Sequence, residues 1–153
     1  MRIWPSFKYL KTPIGTDSFV ESYLDERLGR QRGEIKSLSD MTHLHECFTL
    51  LRSCASACKV THLMRTIPPR QLKKFLNGFD SELRKAMGRT LRHDLNDDQG
   101  LICQLPAKYC GFGLRSGKLV AGAQHLTSLT KCWLLMQMTG ISEKTNCNTK
   151  DLG

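Results

Sequence analysis

A proline pair, Pro68-Pro69, separates two long stretches of helical periodicity in the middle of the chain. Proline cannot continue a helix but suits its first turn, so the pair ends one helix and begins the next. Over 69–92 the apolar residues recur at intervals of three and four, which is the spacing of one helical face. They are Leu72, Phe75, Leu76, Phe79, Leu83, Ala86 and Met87. This spacing predicts a helix with one buried side.

Similar spacing predicts two helices before the proline pair. The first begins at Thr16 or Asp17, either of which can cap it, and Gly29 and Gly33 weaken its second half. The second, which is the most apolar, spans about 41–65 and has Ser39 or Asp40 as its cap. Its predicted apolar side comprises Leu44, Cys47, Phe48, Leu51, Cys54, Ala55, Cys58 and His62. The seven cysteines are odd in number and mostly lie inside helical patterns, and in a reducing compartment we expect free thiols rather than a disulfide framework.

Two further helices are predicted after the central one. Asn96 caps a short helix over about 96–105, which Pro106 ends. Ser116 caps a last helix that continues to about Met138. The core residues predicted for the last helix are Leu119, Val120, Ala123, Leu126, Leu129 and Trp133.

These elements predict an all-α fold with no convincing strand. An irregular array of four to five helices would occupy 16–138, after an irregular lead-in over 1–15. The polar, patternless residues 139–153 are expected to be a disordered tail. The lead-in has no apolar segment of secretory length, and the longest apolar run, 133–138, is too short to span a bilayer. We therefore expect an intracellular protein of the nucleus or cytoplasm that does not act at a membrane.

The chain is strongly cationic, and the largest share of its charge lies in the central helix. Lys and Arg number 23 against 14 Asp and Glu, which gives a net charge of +9. More than half of that net charge comes from 70–92, where Asp80 and Glu82 lie at the borders of the apolar stripe. The cations of this segment are Arg70, Lys73, Lys74, Arg84, Lys85, Arg89 and Arg92. Such a face favours a phosphate-bearing partner, although a solvated charged face is also the default for an amphipathic helix.

Three other patterns suggest chemistry but have simpler structural interpretations. Asp97-Asp98 could hold the metal ions of a polymerase, but the pair follows a helix break and suits a helix N-terminus. The Cys and His residues of 43–62 could bind a metal, but they include no Cys-x-x-Cys and match a core face. Gly111-Phe-Gly113 lacks the preceding strand of a dinucleotide site and suits a turn between helices. No cofactor, metal or small-molecule substrate is therefore expected.

Three stretches, in this order, form a set with the spacing of a known family. They are 10–17 (LKTPIGTD), 62–69 (HLMRTIPP) and 104–116 (QLPAKYCGFGLRS). The set resembles the region after the catalytic palm in reverse transcriptases of non-LTR retrotransposons, and the resemblance covers 8–135. This chain departs from the family pattern at Lys11 and Cys110, where the family has glycine, and at Gly100, where Trp is common. These departures fit a decayed element.

The resemblance implies a thumb-like, non-catalytic fragment of an RNA-directed DNA polymerase that lacks its palm. A polymerase thumb touches the backbone of the primer-template, so by analogy the basic face of the central helix would meet phosphates of DNA or RNA. The resemblance assigns this contact to Arg65, Arg70, Lys73, Lys74, Arg84, Lys85 and Arg115. Arg89 extends the same face, and Lys118 stands near the start of the last helix, where a phosphate could bind.

The alternative interpretation is a helical protein-interaction module with no nucleic-acid role. The missing palm domain would be one candidate partner. An exposed apolar face on the second or the last helix would favour this alternative, because large exposed apolar patches mark interaction surfaces.

Overall fold

A computed structural model describes residues 6–139 and confirms the all-α class. The helices are α1 (Asp17–Ser39), α2 (Leu44–Leu50), α3 (Thr61–Thr66), α4 (Pro69–Leu91), α5 (Asp97–Gln104) and α6 (Gly117–Met138). A π-helical turn (Leu51–Ala55) and a 3-10 turn (Ala57–Val60) join α2 to α3, and a second 3-10 turn (Ala107–Tyr109) precedes α6. The tail predicted for 139–153 lies outside the described residues, apart from Thr139. No helix of the described part has the length and apolar character to cross a bilayer.

A small β-hairpin stands before α1, where no strand was expected from the sequence. Strands β1 (Phe7–Tyr9) and β2 (Thr12–Ile14) pair antiparallel. Leu10 and Lys11 form the turn with φ values of 46° and 63°, and a tight hairpin turn of this kind requires positive φ at both positions. The Tyr23 hydroxyl on α1 donates to the Lys11 carbonyl at 2.8 Å, which fixes the hairpin to the helices. Strands of three residues are too short for their alternation to be detected in the sequence.

The central helix is α4, and its predicted extent and buried face are confirmed. It begins at Pro69, and every apolar residue predicted for its stripe is buried. Helix α1 packs along α4 and runs in the same direction. Asp17 lies near Arg70 at the start of both helices, and Arg32 lies near Glu82 further along.

Helix α1 is one continuous helix to Ser39. Thr16 caps it as predicted, since its Oγ1 accepts from the Phe19 amide at 3.4 Å. A Cβ placed at Gly29 or Gly33 would meet nothing within 4 Å, so these glycines face open space and mark no close approach. Burial of Ile35 holds the second half of the helix against the core. Ser39 consequently ends α1 and does not cap the next helix.

The single helix predicted over 41–65 is wrong, because the backbone at Ser56 is extended (φ −79°, ψ −156°). Hydroxyl groups in this stretch bond to the carbonyl four residues back. Ser53 donates to the Thr49 carbonyl at 2.6 Å, and Ser56 donates to the Arg52 carbonyl at 2.7 Å. Such bonds can bend a helix, but Thr127 and Thr130 make them inside the unbroken α6, so they do not by themselves explain the π and 3-10 turns between α2 and α3.

The break changes which side chains of this stretch reach the core. Cys47 and Leu51 are buried as predicted, but Leu44, Cys54 and Cys58 are exposed. The prediction of one continuous core face is therefore wrong, because a repeat of 3.6 residues does not continue through π and 3-10 turns. Within 6–139, no three His, Cys, Asp or Glu side chains gather closely enough to hold a metal ion.

Helices α5 and α6 begin where predicted, but most of α6 lies outside the core. Asn96 and Gln99 form a capping box at the start of α5, and Ser116 caps α6. Gly117 and Ala121 are the buried residues of α6. The predicted core residues Leu119, Ala123, Leu126, Leu129 and Trp133 are exposed, and Val120 is half-buried. A Cβ at Gly117 would lie 2.9 Å from the Leu76 side chain, so α6 approaches the body closely at its start.

Candidate nucleic-acid interface

The cationic face predicted on α4 is neutralised in its first half by carboxylates of α1. Lys74 Nζ lies 2.7 Å from a Glu21 oxygen and 3.4 Å from an Asp25 oxygen. The hydrogen bond to Glu21 and the charge of Asp25 raise the pKa of Lys74. Arg70 lies 3.9 Å from Asp17 at the helix start. The cations of α4 therefore have an acidic helix as their neighbour.

The second half of the face is paired in a similar way. Arg84 forms an ion pair with Asp97 at the start of α5. Lys85 Nζ lies 3.2 Å from a carboxylate oxygen of Glu82, which is buried. Each exposed pair adds little to stability, but it lowers the positive potential that a polyanion would meet.

Three cations of the predicted face remain outside these pairs. Lys73 and Arg92 form no ion pair with any of the described residues. Arg89 donates from its guanidinium to Ser39 Oγ at 2.8 Å. The predicted cationic face is therefore interrupted by acidic neighbours from α1 and α5 and by Glu82.

A second cationic surface lies between the α2–α3 connection and the loop before α6. A cleft of about 670 Å³ opens there, and we call it the cationic cleft. Arg52 from the π turn and Arg115 from the loop both line it, and both side chains are exposed. His45, Gln104 and Gln124 supply further polar groups. Its lining, as far as the described residues define it, includes no Asp or Glu.

The glycine turn before α6 places the two arginines of the cleft. Phe112 packs edge-on against Phe48 of α2, with ring centroids 5.6 Å apart. The Gly113 amide donates to the C-cap carbonyl of α5 at 2.8 Å. Gly113 has a φ of 71°, and a Cβ there would come within 3.2 Å of Arg52 Nε. The turn therefore brings Arg52 against the backbone that leads into Arg115.

Of the remaining predicted site residues, Arg65 lies beside this cleft, whereas Lys118 lines a separate cleft together with Asp80 and Asp97. Arg65 Nε donates to Gln124 Oε1 at 3.2 Å, and Gln124 lines the cleft. Lys118 is exposed in the first turn of α6, next to the loop that carries Arg115. The sequence analysis missed Arg52, which it placed in a continuous helix.

Two departures from the retrotransposon pattern occupy backbone positions that suit glycine. Lys11 has a φ of 63° and Cys110 a φ of 60°. The third departure concerns packing, since a Cβ at Gly100 would lie 2.8 Å from the Arg84 side chain. A Trp at that position would displace Arg84 from its place beside α5.

Replacing either Lys11 or Cys110 by Gly is expected to stabilise the fold. A left-handed backbone costs a non-glycine residue about 1–2 kcal/mol, and the greater freedom of glycine in the unfolded chain offsets part of that gain. We expect Lys11→Gly and Cys110→Gly each to raise the free energy of unfolding by about 0.5–1 kcal/mol. Urea denaturation followed by circular dichroism measures the free energy of unfolding. Lys36→Gly, inside α1, is the control and should lower the same quantity by about 1 kcal/mol. A loss of stability in both test variants would contradict the positive φ values.

Comparison of the chain with family models, with curated proteins and with solved structures found no match.

Proposed function

We propose that this chain is a non-catalytic helical module that binds the backbone of nucleic acid through the cationic cleft, not through α4. The presence of Arg52 and Arg115 in the lining of one cleft, whose described lining has no carboxylate, carries the proposal. The planar guanidinium group donates two parallel hydrogen bonds to a phosphate, so arginine side chains suit this ligand. The net charge of +9 would steer any polyanion toward the chain.

The resemblance to the segment after the reverse transcriptase palm supports the same proposal. Arg115 belongs to one of the stretches that carry the resemblance, 104–116. Lys11 and Cys110, where the family has glycine, have the backbone conformation that glycine adopts most easily. A thumb-like segment of a retroelement polymerase would hold a duplex by its backbone without extending it.

Binding of this kind is expected to be weak and sensitive to salt. Arg52, Arg65 and Arg115 together allow about three phosphate contacts, which gives a slope of log K against log salt of about −2 to −3. Because such contacts carry no sequence information, DNA and RNA of different sequences should bind alike.

The test is fluorescence anisotropy of a labelled DNA–RNA hybrid at about 50 and 200 mM salt. We expect the double variant Arg52→Glu/Arg115→Glu to lose affinity about 30-fold at the lower salt concentration, because two contacts become repulsive. The matched control is Lys73→Glu/Lys74→Glu, which changes the net charge equally but lies on α4. Its affinity should fall about threefold at most, because only long-range attraction is lost.

The comparison of the two variants decides the location of the interface. A larger loss of affinity in Lys73→Glu/Lys74→Glu would place the interface on α4. Equal losses would mean that only net charge matters and would overturn the cleft. No binding of the unchanged chain at low salt would remove the nucleic-acid function altogether.

The second candidate function is a protein-interaction module, and the exposed apolar half of α6 favours it. Leu126 is 66% exposed and Trp133 is 55% exposed, and Leu129 between them is also exposed. Exposed apolar patches of this kind mark surfaces that a partner covers. In the retroelement interpretation, the missing palm domain would be that partner.

A further inference from the structure

The cationic cleft has an apolar part that contact with phosphates alone does not use. Its members come from α2, from the segment between α5 and α6, and from the first turn of α6. They are Phe48, Pro106, Ala107 and Val120, which all line the cleft and are exposed or half-buried. A surface that meets only the phosphates of a duplex needs cations and no apolar wall. The apolar part therefore suits a ligand that has an apolar face as well as a phosphate.

The shape of the cleft favours a nucleotide over a duplex. The cleft is concave, and its volume of about 670 Å³ lies within the range of about 300–1,000 Å³ that is usual for small-molecule pockets. The bases of a duplex are paired and stacked inside it, so a protein cavity cannot receive them. An unpaired nucleotide has no such restriction, and its base can enter while its phosphate stays at the mouth.

Phe48 supplies an aromatic ring on the wall of the cleft. Phe112 packs edge-on against it, with an angle of 72° between the two rings, and this contact fixes the position of the Phe48 ring. Phe112 belongs to the same turn that leads into Arg115, so one segment positions both an aromatic ring and a cation. Proteins hold unpaired bases by stacking them on aromatic rings beside a cationic track for the backbone.

The polar groups of the cleft complement the rest of a nucleotide. A Cβ at Gly113 would lie 3.5 Å from the guanidinium carbon of Arg52. Arg115 follows two residues later, so its α-carbon is at most about 7 Å from that of Gly113. Gln104 and Gln124 line the same cleft, and each amide can both donate and accept, as the edges of the bases do.

We infer that the cationic cleft binds an unpaired nucleotide, with the base against Phe48 and the phosphate on Arg52 and Arg115. The inference rests on the proposed function and narrows it, because nucleic acid with a single-stranded segment should bind more tightly than a fully paired duplex. Every base has a face that can stack, so the sequence of that segment should matter little.

The test compares three forms of one DNA–RNA hybrid by fluorescence anisotropy with the full chain at about 50 mM salt. One form is blunt, one has an overhang of about four nucleotides, and one has the same overhang without its bases. We define the overhang gain as the affinity for an overhang form divided by the affinity for the blunt form. The normal overhang should give a gain of about tenfold, a moderate value for a base stacked on an aromatic ring. The abasic overhang adds the same phosphates and should give about twofold.

Two variants locate the aromatic contact. Phe48→Leu keeps an apolar side chain but removes the ring, so it should reduce the overhang gain to about threefold and leave the affinity for the blunt form unchanged. The matched control is Tyr109→Leu, since the Tyr109 ring is 62% exposed and does not line the cleft. It should keep the full overhang gain. Circular dichroism confirms that both variants remain folded.

Three results would overturn the inference. They are an overhang that adds no affinity, an abasic overhang as effective as the normal one, and equal overhang gains in Phe48→Leu and Tyr109→Leu. Each of them leaves binding of the blunt hybrid intact and so leaves the proposed function standing. The proposed function fails by a different result, which is no binding of any of the three forms.

Discussion

Replacing Phe79 by Ala is expected to lower the free energy of unfolding by about 3–5 kcal/mol. Phe79 is fully buried on α4, and its ring stacks on that of Phe75 with centroids 6.2 Å apart. Helices α1 and α6 both pack on α4, so the cavity would open at the centre of the fold. Because interiors are close-packed, neighbouring side chains can fill such a cavity only in part.

The measurement is urea denaturation followed by circular dichroism, with Leu101→Ala as the matched control. Leu101 is 59% exposed on α5, and its truncation should change the free energy of unfolding by less than about 0.5 kcal/mol. An effect of Phe79→Ala as small as that of the control would contradict the placement of α4 at the centre.

The central helix could be predicted because its pattern is unambiguous. Its apolar residues fall on one stripe, and its other faces are charged, so only one side can be buried. Helix α6 has apolar residues on every side and one lysine after Lys118, so its spacing did not indicate the buried face. The structure buries the side of Gly117 and Ala121 because small residues allow the closest approach of two helices.

The helix break at Ser56 and the cationic cleft depend on interactions that a periodicity search does not contain. The backbone becomes extended at Ser56, whereas the apolar spacing of the sequence continues past this residue. Arg52 and Arg115 are far apart in sequence, and Phe48 and Phe112 bring them together through a tertiary contact. Arg52 has no local sequence signal that marks it as part of a site, whereas Arg115 lies in the stretch 104–116 that carries the family resemblance.

The neutralised charges of α4 illustrate the same limit. The sequence shows the cations of α4 together, but their acidic partners Asp17, Glu21 and Asp25 belong to another helix. The parallel packing of α1 against α4 brings the two sets into contact. A helix whose exposed charged residues are nearly all cationic therefore need not form a cationic surface in the folded chain.

Asp80 provides the second large effect, since its carboxylate caps the start of α6 from another helix. It accepts hydrogen bonds from the Gly117 amide at 2.9 Å, from the Lys118 amide at 3.2 Å and from the Ser116 hydroxyl. The first amides of a helix have no partner within it, and a carboxylate there also complements the helix dipole. From the sequence, Asp80 could be located only at the border of the apolar stripe of α4, and its role as a cap of α6 was not predicted.

Replacing Asp80 by Ala is expected to lower the free energy of unfolding by about 3 kcal/mol, because three donors lose a charged acceptor. Asp80→Asn should lower the free energy of unfolding by less, since the amide keeps one acceptor oxygen. Glu26→Ala removes an exposed ion pair with Arg30 and, as the control, should cost about 0.5 kcal/mol or less. Urea denaturation measures the three variants, and hydrogen exchange of the first amides of α6 localises the effect. Because Ser116 follows Arg115, loss of the cap should also loosen the cationic cleft and weaken nucleic-acid binding with both arginines intact. An Asp80→Ala variant as stable as Glu26→Ala would contradict a cap that joins α4 to α6.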